Sequence, residues 1–422
     1  MRKFLPQSRY ARNVLTLMTG TGLAQAIPIA ISPILTRLYS PEEFGLFAFY
    51  MAVVSITVVL VTGRYEQAIL LPRQDRDAGH IAALVVLLSA VVSAYLLLLV
   101  ILFNSQIVLF LGDPKLAPWL YWVPASTFLM GTYQGLNYWS NRKTQYKRLA
   151  ISRTVQSGSA ALAQLSYARV EGLGLVAGQV TGQVFATSVM ARLIWREDHK
   201  LIRTLRPLRS LALARKYINF PKYLIVAHGF NTASGQMPVL LLNALFSAAS
   251  AGFFTLTQRV MGAPMALVAG ALGDVFRQEA SQAYSHQGNC LAIYKKTLKR
   301  LLLISVLPFL MFFFIAPDMF AFVFGGQWRI AGEYAQILTL KFFFDFVAGP
   351  LSAMFMIAQK QRLDLLWQMA LVSMAVGSFY MGFWFSDVKL ALMVYAGVCC
   401  CMQAINLVMS YCFAKNKKKS MS

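Results

Sequence analysis

Twelve long stretches of this sequence are apolar and nearly free of charge, and no other feature limits the fold as strongly. About 20 such residues form an α-helix long enough to cross the hydrocarbon core of a bilayer. Backbone polar groups inside a bilayer must be paired within the protein, which favours helices. We therefore predict an all-α integral membrane protein with spans at residues 13–37, 43–63, 79–103, 116–138, 153–169, 172–192, 218–244, 250–272, 299–316, 332–357, 363–385 and 389–413.

The distribution of basic residues supports this count. The chain carries a formal charge of +23 and holds 39 Lys and Arg residues. With the N-terminus in the cytoplasm, 32 of the 39 fall in the two tails or near every second connection, and five fall on the opposite side. Cytoplasmic connections of membrane proteins are rich in Lys and Arg. We read the charge as a topology signal with both termini cytoplasmic, and we expect no nucleic-acid partner.

The sequence also resembles itself at a shift of 207 residues. "LTRLYSPEEFGLFAF" (35–49) aligns with "LNALFSAASAGFFTL" (242–256). The shift is about half the chain, so it predicts two six-helix lobes in the same orientation. We place the first lobe at 1–194, a basic cytoplasmic linker at 195–217 and the second lobe at 218–422. The linker is expected to lie along a leaflet with anionic headgroups, although a solvated connection remains the alternative.

The first helix of each predicted lobe is interrupted by glycine and proline. Proline removes an intrahelical hydrogen bond and kinks a helix. Interruptions at corresponding places in two halves point to a substrate path. They also occur in membrane helices for packing reasons alone. The residues concerned are Gly20, Gly22, Pro28 and Pro33 in the first lobe, and Gly229, Gly235 and Pro238 in the second.

Three stretches resemble a known family. "LTRLYSPEEFGLFAFY", "GRYEQAILLPR" (63–73), and "WRIAGEYAQIL" followed by "GPLSAMF" (328–355) are similar to the polysaccharide-biosynthesis branch of the multidrug/oligosaccharidyl-lipid/polysaccharide (MOP) exporter superfamily, which includes O-antigen flippases. The resemblance implies two lobes forming a V around a central cavity. It implies alternating access, with helices 1 and 7 bending between states. It implies no cofactor, and energy from an ion gradient or the membrane potential.

The resemblance also implies a cargo and a location. The cargo would be an undecaprenyl-pyrophosphate-linked oligosaccharide, moved from the inner to the outer leaflet of the bacterial cytoplasmic membrane. Membrane lipids, and a polysaccharide polymerase or ligase of the same pathway, would be further partners. Two other functions stay open at this point. One is a multidrug or metabolite exporter of the same superfamily, whose cargo favours acidic residues, and the other is a membrane-embedded polymerase or glycosyltransferase.

Arg259 lies in the middle of a predicted span. A charge there costs about 2.5–3.5 kcal/mol on insertion scales, so it is expected to face water or a partner. A guanidinium grips phosphate with two parallel hydrogen bonds. We predict that Arg259 binds the pyrophosphate, with Arg64, Arg37 and Glu66 as further substrate-binding residues. The alternatives are a structural pair of Arg259 with Glu66 or Asp345, a pair of Glu66 with Arg64, a topology anchor at Arg64, and an Arg37 that reaches the outer headgroups.

Lys341 and Asp345 are four residues apart inside the tenth predicted span. This spacing puts both side chains on one helix face. Mutual neutralisation explains the pair most simply, and an ion-coupling site is the sharper hypothesis. Five cysteines are present, and three of them are consecutive, so they point in different directions around a helix and predict no metal site. No nucleophile motif or pair of catalytic carboxylates is visible in the sequence, and we expect no enzyme.

Overall fold

The computed structural model describes residues 9–111, 114–169, 173–204 and 206–415, and within these ranges the chain forms helices and turns without a strand. The α-helices are α1 (Arg9–Leu38), α2 (Pro41–Val61), α3 (Tyr65–Ala68), α4 (Asp75–Leu111), α5 (Ala117–Leu120), α6 (Trp122–Arg142), α7 (Tyr146–Ser166), α8 (Gly174–Ile202), α9 (Pro207–Lys216), α10 (Ile225–Leu245), α11 (Ala248–Gln287), α12 (Leu291–Phe324), α13 (Arg329–Leu351), α14 (Ala353–Ile357), α15 (Gln361–Trp384) and α16 (Val388–Lys415).

Each of the twelve predicted spans lies mostly on one long helix, although 116–138 includes α5 and 332–357 ends in α14. The all-α multi-span prediction is confirmed. In the described part of the chain, six spans are long and apolar enough to cross a membrane by length and composition alone. A seventh is α11, which bends by 43° between Gly262 and Pro264. The other long helices, α1, α6, α7, α8 and α10, do not pass this test of length and composition.

The chain divides into two compact units, Met1–Met237 and Pro238–Ser422. The division falls inside α10, at a proline that the sequence marks as a helix interruption. The predicted linker contains α9, which packs against α4 in the first unit. The predicted lobe boundaries remain a prediction. The basic tails at 1–8 and 416–422, on which the predicted position of the termini partly rests, lie outside the described residues.

The sequence repeat corresponds to a structural repeat. α1 ends at Leu38 and α10 ends at Leu245, 207 residues later, and the following helices begin at Pro41 and Ala248 with the same offset. In the first copy the Glu43 backbone N–H donates to the Ser40 hydroxyl at 3.2 Å, and the Glu43 carboxylate accepts from the Ser40 N–H at 2.8 Å. This is the capping box that the sequence indicates. The second copy keeps only the serine cap, at Ser247.

Glycines on α8 allow close packing against α7 within the first unit. An added Cβ at Gly178 would lie 2.7 Å from the backbone nitrogen of Gln164, and one at Gly182 would lie 2.8 Å from the carbonyl oxygen of Gln156. Gly174 continues this four-residue spacing, which is typical of helix pairs in lipid. Nearer the start of α7, Gly20 of α1 approaches Ala150 equally closely. α7 is therefore polar in sequence because two helices cover it.

In the second unit, α11 and α13 are joined by packed aromatic rings and by a hydrogen bond from a threonine hydroxyl to a backbone carbonyl. Phe253 packs edge-on against Trp328 with ring centroids 5.7 Å apart. The Thr257 hydroxyl lies 2.7 Å from the Ala331 carbonyl oxygen of α13 and donates a hydrogen bond to it. These contacts fix the N-terminal half of α11, which carries Arg259, against α13.

Candidate functional site

The end of α2 turns sharply at two residues with left-handed backbone. Gly63 has φ 56° and Arg64 has φ 58°. Glycine adopts this region freely, but for arginine it is unfavourable. The Thr62 hydroxyl supports the turn by accepting the Arg64 N–H at 3.3 Å. The turn ends α2 and directs the chain into the short helix α3.

α3 is anchored by its buried residues. Ala68 and Ile69 are fully buried, and Tyr65 is 5% exposed within the same apolar cluster. The Tyr65 hydroxyl donates to the Ala214 carbonyl oxygen of α9 at 3.0 Å. The segment on either side of Tyr65 is therefore held in place by packing, and this fixes the positions of Arg64 and Glu66.

Arg64 and Glu66 form a buried ion pair. Arg64 Nη1 lies 3.2 Å from Glu66 Oε1, and the side chains are 14% and 1% exposed. Two atoms of the pair, Arg64 Nε and Glu66 Oε2, are buried without a hydrogen-bond partner in the described structure. Buried polar atoms are normally satisfied, so each exception calls for an explanation.

The pair lies at a cavity of about 230 Å³. The wall opposite Arg64 and Glu66 comes from α6 and is polar or aromatic, and it consists of Tyr133, Gln134, Asn137 and Tyr138. Gln134 Oε1 is also buried without a partner. The cavity thus combines one cationic donor with carboxylate and amide acceptors, a set suited to a phosphate or to sugar hydroxyls rather than to an apolar ligand.

Burial raises the pKa of the Glu66 carboxyl above its ordinary value of 4.5, although the Arg64 cation beside it acts in the opposite direction. Glu66 lies between α2 and α4, outside the spans of both helices. A carboxylate whose desolvation outweighs its ion pair does not stabilise the fold through its charge.

Arg37 and Arg64 lie at opposite ends of α2. Arg37 is in the last turn of α1, beside the hairpin that starts α2, and its side chain is exposed. Arg64 follows the other end of α2, whose 21 residues correspond to roughly 30 Å. The structure therefore separates two predicted binding residues by about the thickness of the hydrocarbon core.

Arg259 lies on α11 in the second unit, one turn before the 43° bend, and its side chain is half-buried. The two carboxylates considered as structural partners for Arg259 both have cationic partners of their own. Glu66 pairs with Arg64, and Asp345 pairs with Lys341. The role of Arg259 in substrate binding remains a prediction.

Lys341 and Asp345 share a face of α13, as their spacing predicts. Lys341 Nζ lies 2.9 Å from Asp345 Oδ2. Gln403 of α16 donates through Nε2 to the other carboxylate oxygen at 2.8 Å. The Lys341 ammonium also lies 4.6 Å from the centre of the Phe342 ring. The contact between the two side chains agrees with mutual neutralisation, while ion coupling at this pair remains a prediction.

Sequence reasoning missed the contribution of α6 to the cavity. Gln134, Asn137 and Tyr138 have the spacing of one helix face, and this was the available signal. It also missed Arg153, which donates from Nη1 to the Thr21 hydroxyl of α1 at 2.7 Å. Arg153 stands at the start of the span predicted at 153–169.

Comparison with known proteins supports the family and the fold. The family described as "Polysaccharide biosynthesis protein" matches residues 34–333. No curated protein matches the chain. An inward-facing multidrug resistance MATE family transporter of the MOP superfamily superposes with a TM-score of 0.72 at 15% identity, covering 96% of each chain. An outward-facing MATE transporter gives 0.62 at 12% identity, covering 97% of each.

A third similar structure is a MOP superfamily transporter from Pyrococcus furiosus, described as having a binding pocket of reverse polarity. It superposes with a TM-score of 0.64 at 13% identity and covers 97% of each chain. At these identities the likeness concerns the fold. The family match extends over well more than half of the 422 residues. This chain is a member of the polysaccharide biosynthesis protein family, with the fold of the MOP exporter superfamily.

Proposed function

We propose that this protein is a flippase that moves an undecaprenyl-pyrophosphate-linked oligosaccharide, such as an O-antigen repeat unit, from the inner to the outer leaflet by alternating access. The observation that carries the proposal is the buried Arg64–Glu66 pair, which lines a polar cavity in a member of a polysaccharide biosynthesis family. A diphosphate supplies anionic oxygens for the Arg64 guanidinium, and the attached sugar supplies hydroxyl groups for the acceptors of the cavity.

The cavity suits a headgroup rather than a whole cargo. A volume of about 230 Å³ is below the usual range of roughly 300–1,000 Å³ for pockets that enclose a drug-sized ligand. We assign Arg64 to the phosphate groups and Glu66 to the role of its counter-ion when no cargo is bound. Arg259 is assigned to the pyrophosphate in the second unit, and Arg37 to the headgroup near the end of α1.

Ion coupling is assigned to Lys341 and Asp345. Both oxygens of the Asp345 carboxylate are occupied, one by Lys341 and one by Gln403. Protonation of Asp345, or replacement of Lys341 by another cation, would break this three-residue cluster and change the packing of α13 against α16. A gradient-driven step needs such a coupling between charge and packing.

A multidrug or metabolite exporter is the competing function, since two of the similar structures are multidrug transporters. The charges favour the flippase. Glu66 and Asp345 are paired with Arg64 and Lys341, whereas a site for cationic drugs needs unpaired acids, and Arg259 adds a cation to a predicted span. The transporter described with reverse pocket polarity shows that pocket charge varies within this fold. A polymerase or glycosyltransferase is a further alternative, which turnover of a sugar donor would reveal.

The proposed location is the bacterial cytoplasmic membrane, with both termini in the cytoplasm. Cysteines introduced at Glu42 and Gln145, which are both exposed, test this topology when the native cysteines are replaced. They should react with an impermeant maleimide from opposite sides of the membrane. Reaction of both from the same side would contradict the topology.

Reconstitution tests the function directly. Proteoliposomes containing undecaprenyl-pyrophosphate-linked oligosaccharides are scored for the fraction of cargo that changes leaflet. We expect transport by the wild-type protein and none in vesicles that contain the R259A variant at the same protein density. Transport of a cationic dye without transport of any lipid-linked glycan would replace the flippase with the drug exporter.

A further inference from the structure

A basic, acid-free surface follows α8 and includes α9. No Asp or Glu occurs between Asp198 and Asp274. Residues 199–222 contain seven cations, all of them exposed: Lys200, Arg203, Arg206, Arg209, Arg215, Lys216 and Lys222. Arg209 pairs with Asp77 at 2.8 Å. In the described part of the chain, no carboxylate lies within 4.0 Å of the other six. This surface therefore offers uncompensated positive charge.

α9 has an inner and an outer face. Ser210 and Leu213 are buried, and Leu213 belongs to the apolar cluster that contains Tyr65. Leu211 is 55% exposed on the other side, next to the exposed Arg215 one turn later. Ile218, just beyond the helix, is 52% exposed. Apolar side chains placed beside cations on one helix face are typical of segments that lie in the headgroup region of a bilayer.

α9 is held by specific hydrogen bonds rather than by charge alone. The fully buried His80 of α4 donates from Nδ1 to the Arg76 carbonyl oxygen at 2.7 Å, and its Nε2 accepts the Arg206 N–H at 3.0 Å. The Tyr65 hydroxyl binds the Ala214 carbonyl oxygen at the other end of α9. Both ends of the helix are thus fixed, so its outer face keeps a constant orientation.

We propose that the outer surface of residues 199–222 is a binding site for the headgroups of anionic phospholipids. The occupant is a lipid because exposed leucine and isoleucine side chains accompany the cations, and a soluble polyanion would leave them in water. The site does not depend on the nature of the cargo. It does lie one hydrogen bond, from Tyr65 to Ala214, away from the segment that carries Arg64 and Glu66.

The test uses the full-length protein in dodecyl maltoside micelles, with the thermal unfolding midpoint followed as phosphatidylglycerol or phosphatidylcholine is added. A ligand that binds the folded state raises this midpoint. We expect phosphatidylglycerol, and not phosphatidylcholine, to raise it. The R215Q/K216Q variant should need about 30-fold more phosphatidylglycerol for the same rise. Each cation near an anionic surface contributes about 1 kcal/mol of binding free energy, and the loss of two such contributions corresponds to about 30-fold.

Two further variants make the result specific. K295Q/K296Q removes an equally exposed pair of cations from α12 and should titrate like the wild type. R203Q/R206Q removes a second pair from the proposed site and should behave like R215Q/K216Q, so the proposal stays testable if one variant fails to fold. Unchanged titration of a correctly folded R215Q/K216Q variant, or an equal loss in K295Q/K296Q, would overturn it. An equal rise with soluble polyglutamate would show that an acidic protein surface, and not lipid, is the occupant.

Discussion

Arg64 Nη1 and Glu66 Oε1 lie 3.2 Å apart at a cavity, and only Tyr65 separates the two residues in the chain. Residues two apart on a regular helix point to different sides. They meet here because Arg64 has left-handed backbone and stands just before α3. Burial of Glu66 outweighs the attraction of Arg64, as the raised pKa of Glu66 shows. The pair lines the cavity to which we assign the headgroup.

The two partners should respond differently to replacement at neutral pH. R64M leaves the nearly fully buried carboxylate of Glu66 without its cation and should lower the free energy of unfolding by about 3 kcal/mol. E66Q should leave it unchanged or raised, since a neutral amide avoids the desolvation of the carboxylate. Denaturant unfolding of both variants in detergent measures this. Equal destabilisation by the two variants would show that the pair is a structural salt bridge.

The pH dependence follows from the raised pKa of Glu66. The folded protein holds this proton at pH values where an unfolded glutamate, with a pKa of 4.5, has lost it. The resulting stabilisation is fully present below pH 4.5 and is lost as the pH rises through the folded value. In E66Q this carboxyl is absent, so it makes no contribution to the change of unfolding free energy with pH. We therefore expect the stabilities of the wild type and E66Q to converge on acidification, and the R64M defect to shrink, in unfolding measured from pH 7 to pH 4.5.

Arg259 should be required for transport but not for folding. R259A is expected to abolish surface polysaccharide at near-normal protein level, and R259K to retain part of the activity, because a lysine ammonium cannot form the two parallel hydrogen bonds of a guanidinium. R277A is the matched control, since Arg277 lies on the same helix with a 62% exposed side chain. Full activity of R259A would remove Arg259 from the mechanism.

The Lys341–Asp345 pair allows the coupling and neutralisation hypotheses to be separated. K341M should lower the protein level, because it leaves Asp345 without its cation in a span. The double variant K341M/D345L removes both charges and should restore the protein level. If the pair couples transport to an ion, this double variant stays inactive. Recovery of transport together with the protein level would show that the two residues serve only to neutralise each other.

Close packing of α8 on α7 predicts that alanine substitutions at two glycines differ in their effect on stability. G178A places a Cβ 2.7 Å from a backbone nitrogen of α7 and should cost about 1–3 kcal/mol, as overpacking usually does. G158A, on α7, meets nothing within 4 Å and should be neutral or slightly stabilising, since alanine is the better helix former. Thermal unfolding of both variants provides the measurement, and equal effects would contradict the packing argument.

Much of the fold was predictable because its signals are local. Runs of about 20 apolar residues placed the helices, and the Ser40–Glu43 box placed the start of α2. The shift of 207 residues anticipated that Leu38 and Leu245 end equivalent helices. The Lys341–Asp345 contact followed from its four-residue spacing. The family resemblance supplied the expected class of transporter, and the match to residues 34–333 confirmed the family.

The site was predictable only in part. The closeness of Arg64 and Glu66 in the sequence indicated a pair, but it left open whether Glu66 pairs with Arg64 or with Arg259, because that choice depends on the backbone conformation of Arg64. Nor could the sequence show that α6 forms the facing wall of the cavity, or that His80 and Tyr65 hold α9, since these contacts join residues between 67 and 149 positions apart.

The sequence by itself determined where the chain is helical and that equivalent helices end at Leu38 and Leu245, and it predicts twelve membrane crossings. These properties depend on hydrophobic length, charge order and caps, which are read along a single segment. The tertiary structure decided which acid neutralises which cation and which polar atoms remain without partners. Those outcomes depend on the distance between segments far apart in the chain and on the water excluded between them. Neither quantity can be derived from local composition.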